Sequence, residues 1–405
     1  MKQRSRWSYV AAGVVVLLFA GLVYAWSVMS VPIAAEFPQW TKAQLSLAFT
    51  IVMIVFCLGQ LLCGVLGGKM SARVNVWVAA VCFLAGFYLA SRAQSPLALY
   101  LAFGVLCGLG SGLAYNAVVS TVVRWFPDKP GFISGVLLMG FGIGSFIVGK
   151  LYQAWTPAYV GGWRLSFVVM GIVICVVLAF CAFFFEVPGK DFKAPGGQKK
   201  TVVCREDCRP AVMLRRPAFW LYYVWAIALS AAGLALISQA SSIVREIGPA
   251  VAPGAVATIV GLISVFNAIG RVLFGGMYDK RGRSLSMQLV NVLFLITAAI
   301  LLFALKNGSV AVLVAGFIVA GLGYGGVTPT NSAFIRSYFG PANYPINFPL
   351  VNSNLIIASF GSTVAGALFD KSGSYSATFL LIVALAAVGI CCSLGISLTD
   401  KRSKQ

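Results

Sequence analysis

Asn267 and Arg271 are the residues of this chain whose types and spacing most directly suggest chemistry. They lie in residues 257–277, ATIVGLISVFNAIGRVLFGGM, an apolar run long enough to cross a bilayer. A charged side chain inside such a run costs about 2.5–3.5 kcal/mol on insertion scales, so it is tolerated where it faces a watery cavity or a partner. The i, i+4 spacing puts both side chains on one helix face. A guanidinium is a planar fork of donors that matches a carboxylate in two parallel hydrogen bonds, and it stays charged at any accessible pH. The chemistry implied is reversible capture of an anion. The plainer alternative is an arginine snorkelling to the membrane surface, with Asp279 two turns further on. Two turns is roughly 12 Å, a long reach for that.

Tyr115 follows GLGSGLA and Tyr324 follows GLG, so the two are expected in similar places in two parts of the chain. A buried phenol needs a hydrogen-bond partner, which a carboxylate oxygen or a neighbouring helix can supply equally well. Asn116, beside Tyr115, suits a cavity or a helix interface. Other chemistries lack their residues. There is no histidine, and no Asp or Glu lies in the middle of an apolar run; Glu36 sits near the end of the first. A nucleophile with its base, an acid pair or a metal cluster has little to be built from, so neither an enzyme nor a cofactor is expected. Eight of the ten cysteines lie in apolar runs, and Cys204 and Cys208 sit at C-x3-C spacing. Without histidine these do not make a zinc site, and the cysteines read as small core residues.

The elements that must position these residues follow from composition. Of 405 residues, 60% are hydrophobic and 10% charged, far below the roughly 25% charged of soluble domains. The fold class expected is an all-α polytopic membrane protein with twelve transmembrane helices, from about 9–31 to 375–398. Lys2, Arg4 and Arg6 lead into a first run long enough to stay in the membrane rather than be cleaved as a signal. Residues 187–216 carry eight Lys/Arg and read as a cytoplasmic linker between six-helix halves at 1–186 and 217–405. With both termini cytoplasmic, 22 of the 30 Lys/Arg fall on the cytoplasmic side, 7 fall opposite and Arg271 lies within the membrane. The positive-inside rule therefore accounts for the net charge of +20, and no nucleic acid need be invoked.

The halves echo one another. Residues 64–76, GVLGGKMSARVNV, and 272–286, VLFGGMYDKRGRSLS, place Gly-Gly pairs 208 residues apart. A second echo pairs Gly108-Leu109-Gly110 through Arg124 with Gly321-Leu322-Gly323 through Arg336. Duplicated six-helix halves are an architecture of secondary transporters, with a midplane site. The glycines Gly104, Gly108, Gly110 and Gly112, and Gly135, Gly140, Gly142 and Gly144, form small-residue faces suited to close helix packing.

The loop Gly275-Gly276-Met277-Tyr278-Asp279-Lys280-Arg281-Gly282-Arg283 resembles the signature loop of the major facilitator superfamily. The first-half copy has Ser71 where the acid belongs. Within that superfamily RWFPDKPG at 124–131, YAWSV at Tyr24 and LRRPAFW at 214–220 resemble the oxalate–formate antiporter family, itself allied to the monocarboxylate transporters. The resemblance covers essentially the whole chain. It implies a cell-membrane carrier of small carboxylates, acting as a monomer by alternating access. Arg271 would bind the carboxylate, with Tyr115, Tyr324 and Tyr24 at the cavity, and Asp279, Lys280 and Arg283 would gate it. Asn267 joins the site by its helical spacing, and Asn116 by its place beside Tyr115 if it faces the cavity and not the helix interface.

Two departures matter. Oxalate carriers place a lysine on helix 11, where this chain reads FPLVNSNLIIASFG with Asn352, Ser353 and Asn354. One positive charge suits a monoanion such as lactate, pyruvate or formate, because a second buried charge left over is costly. Animal-type monocarboxylate carriers have an acid one turn before the helix 8 arginine and a lysine in helix 1. Here Asn267 replaces the acid and WSVMS holds no lysine. Proton symport follows from the resemblance; exchange of one anion for another, as in oxalate–formate antiport, is the alternative that the missing acid favours.

Overall fold

The computed structural model describes residues 5–40, 42–67, 69–157, 159–189 and 207–402. Gly68, Cys204 and residues 190–206 of the expected linker lie outside the described residues. The described chain is helical throughout its ordered elements. Among the described residues ten helices are long and apolar enough to cross a membrane on length and composition, and Thr258–Asn307 counts once among them although it holds two. With helix 1 added, the expected twelve are present.

Helix 1 (6–36) is two α-helical pieces joined by a 3-10 stretch at Gly21–Ala25. Helices 2 to 6 are Lys42–Leu66, Ala72–Ser91, Pro96–Trp125, Pro130–Trp155 and Trp163–Ala182. Helix 4 carries a π-helical stretch at Tyr100–Cys107. Helix 7 is Pro217–Ile247. Helices 8 and 9 form one run, Pro253–Asn307, divided at Gly282 with φ 79° and ψ −175°. A side chain is strained at that φ, so the break falls on glycine. Helix 10 is Val310–Phe339, helix 11 is Tyr344–Ser372 in three pieces, and helix 12 is Ser376–Arg402.

Local chemistry sets the ends. Ser71, Ser95 and Ser309 accept hydrogen bonds from the amides of Val74, Ala98 and Val312, capping helices 3, 4 and 10. Pro217 and Pro253 open helices 7 and 8, where a missing N–H costs nothing. Ser71 stands where the loop motif has an acid, and its capping bond gives it a purely local role.

The chain packs as two compact units. Unit 1 is Met1–Asp128 with Val136–Lys199, and unit 2 is Lys129–Gly135 with Lys200–Gln405. The first turn of helix 5 thus packs with unit 2. Just past the undescribed stretch, the Cys208 amide donates to the Phe339 carbonyl and Asp207 accepts from the Ala342 amide. Gly340, at φ 81°, admits Asp207 against its backbone, so the re-entering chain is pinned to the helix 10–11 turn.

Candidate functional site

Within unit 2 the glycines of helices 8 and 10 bring two backbones into contact. A Cβ on Gly270 would lie 2.6 Å from the Leu322 carbonyl oxygen, and one on Gly321 would lie 2.6 Å from that of Ile263. Gly325 abuts the Asn267 carbonyl and the Arg271 amide. Helix 8 is held on another side by helix 5: Gly135 meets the Arg271 carbonyl and Gly131 meets Gly275. The turn that carries Asn267 and Arg271 is therefore clamped by backbone on two sides, an arrangement that small-xxx-small helix faces permit.

On that turn Arg271 is 6% exposed and Asn267 5%. Ile269 and Leu273, on the other face, are 40% and 57% exposed. The outer face of helix 8 is apolar and the inner face carries the cation. Arg271 Nε donates to Asn267 Oδ1 at 2.8 Å. The bond draws the side chain back toward the helix N-terminus, away from Asp279, which is the direction long helical side chains favour. Snorkelling toward Asp279 is not what this side chain does. Tyr324 is 5% exposed and packs on Gly233 of helix 7, where a Cβ would lie 2.9 Å from Cε2. Tyr324 directly precedes Gly325, the residue that abuts the Asn267 carbonyl and the Arg271 amide. Arg271, Asn267 and Tyr324 thus stand together.

The helix 11 residues are built into a neutral network. Tyr222 Oη donates to Asn331 Oδ1 (2.9 Å), and Asn331 Nδ2 donates to Asn352 Oδ1 (3.1 Å). Ser353 Oγ pairs with Tyr223 Oη at 2.9 Å, and Asn354 Nδ2 donates to Ser230 Oγ at 3.2 Å. The described hydrogen bonds there join helices 7, 10 and 11 through amides and hydroxyls.

The remaining expected residues of the cavity lie in unit 1. Tyr115 packs edge-on to Phe56 and Phe141, with centroids 5.3 and 5.1 Å away, and Tyr24 meets Phe141 at 5.4 Å. The two tyrosines share one aromatic cluster. Asn116 is fully buried, and its Nδ2 donates to the Gln60 carbonyl at 3.0 Å, so it serves the interface of helices 4 and 2. That interface repeats the one in unit 2. A Cβ on Gly59 would lie 2.8 Å from the Leu109 carbonyl, and Gly112 abuts Phe56, Gly59 and Gln60.

The contacts at the two crossings pair Gly59 with Gly270, Gly112 with Gly325 and Gln60 with Arg271. This pairing corrects the expected equivalence of the tyrosines: Tyr324 corresponds to Ser111, and Tyr115 lies one turn further along. Ser111 Oγ donates to the Ala20 carbonyl at 2.8 Å. Gln60, fully buried, was missed by sequence reasoning. Matching all three glycines of GLGSG and GLGYG, and the glycine before each polar residue, is the signal that finds it.

The expected gating residues divide in their roles. Asp279 accepts from the amides of Gly131 (2.9 Å) and Phe132 (2.7 Å), placing a carboxylate on the N-terminus of helix 5. Arg283, 9% exposed, donates to Tyr338 Oη (2.9 Å), the Ser393 carbonyl (3.3 Å), Ser397 Oγ (3.0 Å) and Asp400 (3.3 Å). It ties the ends of helices 10 and 12 to the start of helix 9. Tyr338 also donates to Asp400. Lys280 is exposed. In unit 1 an Arg73–Glu186 pair at 2.7 Å joins helix 3 to the segment that follows helix 6.

A duplicated twelve-helix body with a cation buried in its eighth helix defines a multi-pass membrane transporter. The family model of the Major Facilitator Superfamily matches residues 11–353 and 240–404. The chain belongs to the major facilitator superfamily. It is 27% identical over 344 residues to the oxalate:formate antiporter of Oxalobacter formigenes, covering 84% of this chain and 80% of that one. To monocarboxylate transporter 13 of Rattus norvegicus it is 24% identical over 379 residues, covering 92% and 84%. Among solved structures, the proton:xylose symporter XylE matches with a TM-score of 0.71 at 14% identity, covering 96% of this chain and 95% of that one. That likeness is one of fold.

Proposed function

We propose that the protein is a secondary active transporter of a small monocarboxylate, lactate- or pyruvate-like, coupled to protons and working by alternating access. The observation that carries this reading is Arg271, a buried guanidinium oriented by Asn267 in an otherwise apolar helix. The similarity to an oxalate:formate antiporter and to monocarboxylate transporters supports a carboxylate as the anion. The neutral helix 11 network supports a single negative charge: a dianion brought to one fixed cation would carry an uncompensated charge into low dielectric. Arg271 receives the carboxylate in a bidentate pair, and Tyr324 adds a phenolic donor. Tyr115 and Tyr24 are proposed as further contributors on the strength of the family resemblance. Substrate neutralises the guanidinium and makes occlusion less costly, so the loaded carrier reorients more readily than the empty one. The experiment is uptake of radiolabelled lactate and pyruvate into proteoliposomes under an imposed pH gradient. Unchanged uptake by Arg271→Ala would overturn the assignment.

A second reading is obligate anion exchange, and one observation favours it. That observation is the similarity over most of the chain to an oxalate:formate antiporter, whose name is that of an exchanger. Exchange predicts strong stimulation by carboxylate on the far side and no uptake into vesicles lacking internal anion; symport predicts uptake driven by the pH gradient alone.

A further inference from the structure

Helices 7 and 12 pack along their length, with Gly395 against Leu221 and Gly389 against Leu229. Near the start of helix 7 a groove of ≈ 520 Å³ lies at the surface, lined by Arg215, Pro217, Trp220, Leu221, Val224 and Cys392. Its floor is Cys392, 7% exposed, and its outer walls are Trp220 and Val224, 51% and 42% exposed. Trp220 is fixed by a 2.8 Å bond from Nε1 to the Leu214 carbonyl, so the wall is built rather than mobile. From Pro217 to Val224 the groove follows two turns of helix, about 10 Å, along a surface that a bilayer's hydrocarbon would cover. At its mouth stands the exposed Arg215, in the turn between Pro210–Met213 and helix 7, with Arg209 and Arg216 also at the surface nearby in sequence.

We propose that this groove binds an anionic phospholipid, its phosphate on Arg215 and one acyl chain along Pro217, Leu221, Val224 and Cys392. Two features select that occupant. The open apolar groove along two turns of helix 7 fits a segment of hydrocarbon chain, and water would gain nothing in it. The cation at one end alone fits a negative headgroup at the membrane surface, where basic residues beside a span attract acidic lipid. Arginine suits a phosphate because its donor fork takes two oxygens at once. The amphipathic groove thus reads headgroup and chain together, and it lies on the outer surface of unit 2, away from Arg271.

The test is native mass spectrometry of the full-length transporter, purified in detergent and incubated with dioleoyl-phosphatidylglycerol, dioleoyl-phosphatidylcholine or inorganic phosphate. Retention of one phosphatidylglycerol in preference to phosphatidylcholine is expected. Arg215→Ala should lower the retained fraction about fivefold. Val224→Trp, which fills the groove and keeps the charge, should lower it similarly, while Leu89→Trp on another exposed helix face should not. Melting curves of each variant confirm that it is folded. Equal retention of the two lipids, unchanged retention in both groove variants, or equal retention of inorganic phosphate would overturn the proposal.

Discussion

Arg271 and Asn267 form a cation–amide pair one helical turn apart, the arginine's Nε–H donating 2.8 Å to the amide oxygen. The pair sets the plane of the guanidinium before any anion arrives, so less ordering is required on binding. Replacing Arg271 by Ala should reduce carboxylate affinity about tenfold to a hundredfold, the worth of a charge-assisted pair at about 1.5–3 kcal/mol. Arg271→Lys should recover only part of it, because an ammonium lacks the planar fork. Thermal-shift titration with lactate and pyruvate measures both.

Converting the amide to an acid tests the coupling. Asn267→Asp places a carboxylate at hydrogen-bond distance from Arg271 and adds one negative charge to the site. The expected outcome is weaker carboxylate binding, since substrate must displace an internal anion, and greater net uptake into vesicles without internal anion. Comparing empty and preloaded proteoliposomes reads the shift. A variant that exchanges and accumulates as the parent does would show that the local charge does not govern reorientation.

The crossing of helices 8 and 10 leaves no room for a methyl group. Gly325→Ala should push the backbones apart, costing about 1–3 kcal/mol as overpacking does, and should lower both the melting temperature and carboxylate affinity. Gly366→Ala is the control. Its nearest neighbour to a new Cβ is Gln239 Nε2 at 3.6 Å, an ordinary contact, and little change is expected.

Asp279 gives a prediction of opposite character. Its carboxylate serves two helix 5 amides rather than the anion site. Asp279→Ala should destabilise the fold by about 1 kcal/mol, as loss of a charged cap does, and leave equilibrium affinity for the carboxylate within about twofold. Calorimetric melting and ligand titration on the same preparation separate the two effects.

The twelve helices, the glycine faces and the buried arginine were legible in the sequence because each is a local signal: apolar length, repeated small residues, a charge where none is affordable. Register between the halves was less so. Aligning the Gly-Gly loops puts Arg271 opposite Cys63, whereas the crossings put it opposite Gln60, because helix 2 runs three residues further from its crossing glycine to the loop. Asn116 illustrates another limit. Its partner is a backbone carbonyl on a different helix, brought near only by the contact of Gly59 with Gly112. The Arg283 cluster was hidden likewise, since it gathers residues of helices 9, 10 and 12 that no spacing connects.

Helix 8 passes into helix 9 through the single non-helical residue Gly282. A joint one residue long has no slack. The arginine-bearing rod and the following one are thus held end to end, and the Arg283 bonds tie the second to helices 10 and 12. Lengthening this elbow by even a short flexible insert would let the rods turn independently, uncoupling occupancy of the anion site from motion of the rest of its unit.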